Sequence, residues 1–254
     1  MDTLLTVKDL SVSFGGLRAL DLAHFSLKQQ ELRVIIGPNG AGKSTFMDLI
    51  CGKTKADQGS IIFDGKPILG LTEMRIAELG IGRKFQKPSV FPSLSVYDNM
   101  LLAFKMKKDV FSSLFFKSNS FIHDKIADTA ERMGLQKVLH KTAGDLSHGQ
   151  KQWLEIAIVV LQDPKLMLID EPAAGMSDSE TAKTGELLTE LSKQHGVIVI
   201  EHDMHFVKQI AQETVTVLVN GRLLTEGTFE EVRNNPQVID SYLGRANNAY
   251  LKAV

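Results

Sequence analysis

A single cysteine, Cys51, in 254 residues excludes an internal disulfide framework. Neither sign of charge is in excess: 29 Lys and Arg face 30 Asp and Glu, a formal net charge of -1. No surface built mainly to neutralise nucleic-acid phosphates is therefore expected. Long apolar runs are also missing. Ile156-Ala157-Ile158-Val159-Val160-Leu161 falls well short of the roughly 20 residues that span a bilayer, so the chain is expected to be soluble by itself. Met1-Asp2-Thr3 lacks the basic and apolar regions of a secretory signal, which with the lone cysteine points to a reducing cytoplasm. No internal repeat or low-complexity linker interrupts the chain. A hydrophobic content of 43% suffices for a sizeable core in one large domain or two modest ones.

What is present centres on Gly37-Pro38-Asn39-Gly40-Ala41-Gly42-Lys43-Ser44-Thr45, which follows the apolar run Leu32-Arg33-Val34-Ile35-Ile36 and matches G-x-x-x-x-G-K-[ST]. Gly37, Gly40 and Gly42 let the backbone curl until successive amides face one anion. Lys43 then reaches the β- and γ-phosphates of a nucleotide. Ser44 offers a hydroxyl to Mg²⁺, and the helix it opens aims the positive end of its dipole at the same phosphates. A glycine-rich turn between strand and helix needs one glycine and has no use for an adjacent Lys-Ser pair, so nucleotide binding is the stronger reading.

Around this loop the periodicities change along the chain. The first thirty residues alternate apolar and polar positions about the turn Gly15-Gly16, which predicts strands of an antiparallel layer. Phe14 precedes that turn, where an exposed ring could stack on adenine, although composition alone favours a core role. Cys51 is read as a small packing residue on the helix after the loop. Gly59 to Gly65 reads as a strand closed by an Asp-Gly turn, a short helix follows from Thr72, and Ile81 to Phe85 forms a strand ending at Gln86. Between Pro88 and about Leu146 the character becomes helical, with a capping box at Ser95 and Asp98 and a helix from Phe121 to Met133. The aromatic stretch Val110-Phe111-Ser112-Ser113-Leu114-Phe115-Phe116 inside it reads equally as a core seam or a protein contact patch. An amphipathic helix then runs from Gly149 to Gln162 and stops before Pro164. Buried strands at Leu166 to Ile169 and Val197 to Ile200 alternate with helices, which implies a parallel sheet covered on its faces. Val215 to Thr225 reads as a hairpin through Asn220-Gly221.

Asp170 and Glu171 leave the strand Leu166 to Ile169 at its C-terminal end, where open α/β sheets bind ligands. Consecutive residues face opposite ways, so Asp170 suits Mg²⁺ while Glu171 orients or deprotonates a water. Leu146-Ser147-His148-Gly149-Gln150 opens a helix and forms a second anion site; alone it would be an ordinary Ser cap. If two chains pair head to tail, this site closes over the γ-phosphate held by the other chain. Gln86 and His202 end strands at the same edge and can touch the γ-phosphate or its water. His202 and His205 are not expected to form a metal pair, since no third ligand has compatible spacing.

In chain order, Phe14, Gly37 to Thr45, Gln86, Leu146 to Gln150, Asp170 with Glu171, and His202 resemble the A-loop, Walker A, Q-loop, signature, Walker B and switch motifs of an ABC-type ATPase. The resemblance covers nearly the whole chain. It implies an α/β P-loop NTPase with a RecA-like core and an antiparallel β layer over residues 1–87 and 147–244. A helical subdomain over 88–146 would dock membrane permease subunits; residues 245–254 carry no pattern of their own and are expected to form a flexible tail. It further implies ATP and Mg²⁺ as ligands, the metal taken by Ser44, Gln86 and Asp170, with Glu171, His202 and Gln86 catalytic. Phe14 and the Walker A residues would hold ATP, and Ser147, His148, Gly149 and Gln150 would meet the ATP of a second, homologous ATPase subunit. The assembly would lie on the inner face of the cell membrane and serve a periplasmic or extracellular solute-binding protein indirectly.

A narrower similarity rests on Phe14-Gly15-Gly16-Leu17, Glu171-Pro172-Ala173-Ala174-Gly175-Met176 and Asn235-Pro236-Gln237-Val238-Ile239-Asp240-Ser241-Tyr242-Leu243-Gly244, which look like the branched-chain amino acid and urea importer group. Gly82 to Pro88 and Leu146 to Glu155 are most similar to the urea importer ATP-binding subunit, so urea is the expected cargo, with branched-chain amino acids as the alternative. Two departures stand out. His148 occupies a position where Gly is commonest, and its side chain is expected to point away from phosphate. Ser177 stands in the D-loop where Asp is usual, which favours a heterodimer over self-pairing. A P-loop small-molecule kinase would leave Leu146 to Gln150 unexplained. A non-hydrolysing module that uses ATP only to dimerise would have no need of Glu171 and His202.

Overall fold

The computed structural model describes residues 2–84, 90–104 and 120–243. Strands β1 (Thr3–Phe14) and β2 (Leu17–Lys28) pair antiparallel, with Phe14 opposite Leu17 at the turn. Leu5, Val7, Leu10 and Val12 of β1 and Leu20, Leu22, Phe25 and Leu27 of β2 are buried, as their alternation requires. With β4 (Gln58–Phe63) and β5 (Lys66–Pro67) they make a four-stranded sheet in the order β2-β1-β4-β5.

The second sheet contains β3 (Leu32–Ile36), β6 (Ile81–Lys84), β7 (Leu166–Asp170), β8 (Gly196–Ile200), β9 (Val215–Val219) and β10 (Arg222–Gly227), in the order β10-β9-β3-β8-β7-β6. Its pairs are parallel except for β9 and β10, which form the hairpin predicted at Asn220-Gly221. β3, β7 and β8 are buried along their whole length, which is why they read as continuous hydrophobic runs instead of alternating ones. The predicted strand from Ile81 is observed as far as Lys84; Phe85 lies outside the described residues.

Helices α1 (Lys43–Ile50), α2 (Glu73–Leu79), α3 (Val96–Leu102) and α4 (Ser120–Arg132) precede the longer α5 (His148–Leu161) and α6 (Asp178–Ser192). After these come α7 (Met204–Ile210), α8 (Phe229–Arg233) and α9 (Pro236–Leu243). Their starts follow side-chain chemistry: Thr72, Ser95, Ser147, Asp203 and Thr228 each accept a hydrogen bond from a first-turn amide. Among the described residues no helix is long and apolar enough to cross a membrane.

The parallel sheet separates two cores. Ile35, Leu166, Leu168, Ile198 and Ile200 face α1 and the antiparallel layer, packing with Phe46, Ile50 and Phe25. Val34, Ile36, Met167, Ile169, Val197 and Val199 face the other way, onto Leu154 and Ile156 of α5 and Leu188 of α6. That second core continues into Val96 and Met100 of α3 and Ile126 and Ala130 of α4, so the helical segment shares apolar packing with the sheet through α5. The stretch Val110 to Phe116 and the tail from 245 lie outside the described residues.

A buried ion cluster marks the opposite end of β3 from the phosphate loop. Arg33 Nη2 lies 2.6 Å from Glu31 Oε1, and Nη1 lies 2.7 Å from Glu226 Oε1 and 3.1 Å from Thr216 Oγ1. Each charge there has a partner, which is the condition under which ions are tolerated in an interior.

Candidate nucleotide and hydrolysis site

The chain leaves β3 at Gly37 and re-enters regular structure at α1. Gly37 has no room for a side chain, since an added Cβ would sit 2.1 Å from the Leu218 carbonyl oxygen. Gly42 caps α1 at φ 95, and there a Cβ would sit 2.7 Å from the Ala19 carbonyl oxygen. Asn39, Gly40 and Ser44 are exposed, Pro38 and Thr45 half-buried, and Ala41 buried. No acidic residue occupies the first turn of α1, so the helix's own sequence leaves the positive end of its dipole uncompensated. Lys43 Nζ donates to the carbonyls of Gly37 at 2.6 Å and Pro38 at 3.1 Å, folding the ammonium over its own loop. Burial lowers its pKa, opposed by the nearby charges of Glu171 and Asp170.

Asp170 ends β7 only 4% exposed, and its Oδ2 accepts from Ser44 Oγ at 3.4 Å. Burial raises the Asp170 pKa; the charge of Arg83 opposes that, Glu171 adds to it and Lys84 again opposes it. A buried carboxylate beside a hydroxyl at a phosphate loop fits Mg²⁺, a hard ion that takes few protein oxygens and completes its shell with phosphate and water. Among the described residues no group of three or more His, Cys, Asp or Glu could hold a metal ion by itself.

Glu171 follows at φ 46, a left-handed conformation uncommon for a residue with a side chain and one that collects at functional sites. Its amide donates to the Ile200 carbonyl at 3.0 Å, and its Oε1 lies 3.3 Å from Nδ1 of His202. Asp170 therefore turns to the phosphate-loop helix and Glu171 to the strand-end histidine, the divergence expected of consecutive residues.

Behind His202 lies a carboxylate that sequence reasoning passed over. Glu201 is 2% exposed and accepts from the amides of His202 at 3.0 Å, Ala173 at 3.3 Å and Asp203 at 3.5 Å. It fixes both the chain after Glu171 and the chain carrying His202. Burial raises its pKa against those backbone bonds. The signal for it was a carboxylate closing an otherwise apolar strand.

Ser147 caps α5: its Oγ accepts from the Gln150 amide at 3.2 Å, and Gln150 Oε1 accepts from the Ser147 amide at 3.1 Å. His148 turns its imidazole aside, with Nε2 2.9 Å from the Ala174 carbonyl and 3.3 Å from Gln152 Nε2. A Cβ on Gly149 would lie 2.3 Å from Glu180 Oε1. Glu180 in turn accepts from Ser177 N at 3.0 Å and Ser177 Oγ at 2.8 Å, bonds that hold its carboxyl below the usual range. Ser177 thus serves as the cap of α6, and the segments 147–149 and 174–180 are tied into one unit.

Phe14 is 52% exposed at the hairpin end, so the core role that composition favoured does not hold and its ring is open to a ligand. Gln86 lies outside the described residues. Lys43, Ser44, Asp170, Glu171 and His202 meet at the C-terminal edge of the parallel sheet, whereas Ser147 to Gln150 bond to their own helix and to the 174–180 segment.

Comparison with known proteins agrees with this arrangement. The family described as ABC transporter matches residues 20–174, and the branched-chain amino acid ATP-binding cassette transporter family matches residues 222–247. The chain is 37% identical over 252 residues to the high-affinity branched-chain amino acid transport ATP-binding protein LivG of Escherichia coli strain K12, covering 96% of this chain and 98% of that one. It is 35% identical, with 96% and 98% coverage, to BraF of Pseudomonas aeruginosa, which carries the same description. A solved ATP-binding cassette of an ABC transporter in its ADP conformation superposes with a TM-score of 0.85 at 29% identity, over 96% of this chain and 100% of that one. The chain belongs to the ABC transporter family as an ATP-binding subunit of the branched-chain amino acid importer type, and it is an ATPase.

Proposed function

We propose that the chain hydrolyses ATP as one of two cassettes that close face to face, and that closure drives import of branched-chain amino acids through membrane permease subunits. The observation that carries the hydrolytic part is the juxtaposition of Ser44 with Asp170 and of Glu171 with His202 at one sheet edge. Phe14 stacks on adenine, and phosphate oxygens take over the Lys43 contacts now made by Gly37 and Pro38. Ser44, Asp170 and Gln86 hold Mg²⁺, which screens the phosphate charge when bound. Glu171 accepts a proton from the water that attacks the γ-phosphorus, the bond to the ADP oxygen breaks, and His202 keeps Glu171 aimed. Ser147 and the amides that follow, including that of Gly149, meet the γ-phosphate of the opposing cassette, with the His148 ring turned away and Gln150 holding the cap. Ser177 is spent on capping α6, which favours a homologous but different ATPase as partner.

For the cargo, the names of the relatives favour branched-chain amino acids over urea. The urea reading rests only on the segments Gly82 to Pro88 and Leu146 to Glu155. Helices α3 and α4, within the segment 88–146, are the proposed docking surface for the permeases, which would hold the chain at the inner membrane face and bring it under the influence of an external solute-binding protein. Uptake of labelled leucine and labelled urea by cells with and without the gene tests the cargo. Loss of leucine uptake alone supports this reading, and loss of urea uptake alone overturns it.

A further inference from the structure

Arg83 and Lys84 close β6 as consecutive residues, and such neighbours face opposite sides of a sheet. Arg83 goes toward α1, where its Nη1 bonds Asp48 Oδ1 and lies 3.2 Å from Cys51 Sγ. Lys84 goes to the other side. Its Nζ lies 3.5 Å from Glu155 Oε2 on α5 and 3.5 Å from the Asp170 carbonyl oxygen, with the Lys84 and Glu155 side chains only 1% and 3% exposed. One strand end is therefore joined through charge to the helix of the phosphate loop and to the helix that begins beside Ser147.

Stability does not account for the inner pair. Burying two ions costs desolvation that their attraction repays only in part, and an apolar pair of similar volume holds such a site as well or better. An ion pair adds a fixed position. The rest of α5 meets the sheet and α3 through apolar surfaces such as Leu154, Ile156 and Ala157, and in some proteins a buried polar or ionic group is what fixes the register of such a contact. Glu155 lies eight residues along α5 from its cap, so a rotation about it acts at Ser147 with a lever of about 12 Å. Lys84 simultaneously touches the residue whose carboxylate faces Ser44.

We propose that Lys84 and Glu155 are positioning residues for ATP hydrolysis, their buried pair setting the angle of the helix that starts at Ser147 against the strand end that carries Asp170. The inference rests on the reading that Ser147 completes the opposing cassette's site. The pair acts on turnover and leaves the phosphate loop's own hold on ATP unaltered.

The test uses the assembled transporter, reconstituted in lipid, with Glu155→Gln, Lys84→Met, the double variant Lys84→Met/Glu155→Met, and Ser147→Arg. ATP affinity, kcat at saturating ATP and melting temperature are measured on each. The expected result is unchanged ATP affinity with kcat down roughly 10- to 100-fold in each single variant, the scale of a misplacement of about 1 Å. In the double variant the melting temperature returns to or exceeds that of the wild type while kcat stays low. A double variant that recovers kcat together with its melting temperature makes the pair structural only and overturns the proposal, as do single variants with wild-type kcat. The double variant decides the matter if the singles fail to fold. Full turnover in Ser147→Arg instead overturns the paired-cassette reading itself, a result distinct from a dead Ser147→Arg beside an active double variant.

Discussion

Glu171 Oε1 stands 3.3 Å from His202 Nδ1, across the ends of two neighbouring parallel strands whose last paired residues are Asp170 and Ile200. Sheet pairing and the left-handed turn at Glu171 deliver that distance, so the two side chains meet as a consequence of backbone geometry. In the proposed mechanism this contact is what keeps the carboxylate aimed. His202→Ala is expected to lower kcat about 100-fold or more, within the usual range for positioned acid–base groups, with ATP affinity unchanged. Parallel rate and nucleotide-binding measurements check this.

Lys43 donates to two carbonyls of its own loop. Exchanging these for phosphate oxygens converts neutral acceptors into charged ones. Lys43→Ala should weaken ATP binding by about 10- to 100-fold, as expected for loss of a charge-assisted hydrogen bond worth about 1.5–3 kcal/mol. Titration with a fluorescent nucleotide gives the value, and the variant should fold normally.

Glu201 has a folded pKa above its ordinary value of 4.5 because it is buried. Between 4.5 and the folded value the native chain binds more protons than the unfolded one, so this group makes stability fall as pH rises through that window. Glu201→Gln removes the slope. Denaturant melts across the acidic range should show the stability difference moving in the variant's favour as pH rises, although the variant loses charge-assisted bonds to three amides.

The cluster on β3 makes a prediction away from the site. Arg33→Met leaves Glu31 buried with its main cationic partner gone. The expected cost is about 3–5 kcal/mol, the range for breaking one side of a buried pair. Urea denaturation measures it.

Much of this was legible in the chain. Gly37 to Thr45 carries its chemistry in sequence neighbours, and the runs at β3, β7 and β8 announce a parallel sheet because both faces of those strands are covered. Caps such as Ser95 and Ser147 placed helix starts closely because they act within three residues. Phe14 was not legible as an exposed ring, since its burial depends on where a hairpin ends. Glu201 and the Lys84–Glu155 pair were also hidden, because a charged residue among apolar neighbours reads as a strand end or a helix face until its distant partner is known. The cargo is a further case: the cassette's residues face nucleotide and other subunits, so resemblance in short segments pointed to urea where relatives aligned along nearly the whole chain favour branched-chain amino acids.

The central claim is that Glu171 activates water at a site completed by a second cassette. Glu171→Gln keeps the shape of the side chain and removes the base. In the assembled transporter with Mg²⁺ and ATP, the account predicts a fall in phosphate release of roughly 100- to 10,000-fold, with ATP retained and the two cassettes held together on cross-linking. Unchanged phosphate release in Glu171→Gln would contradict it.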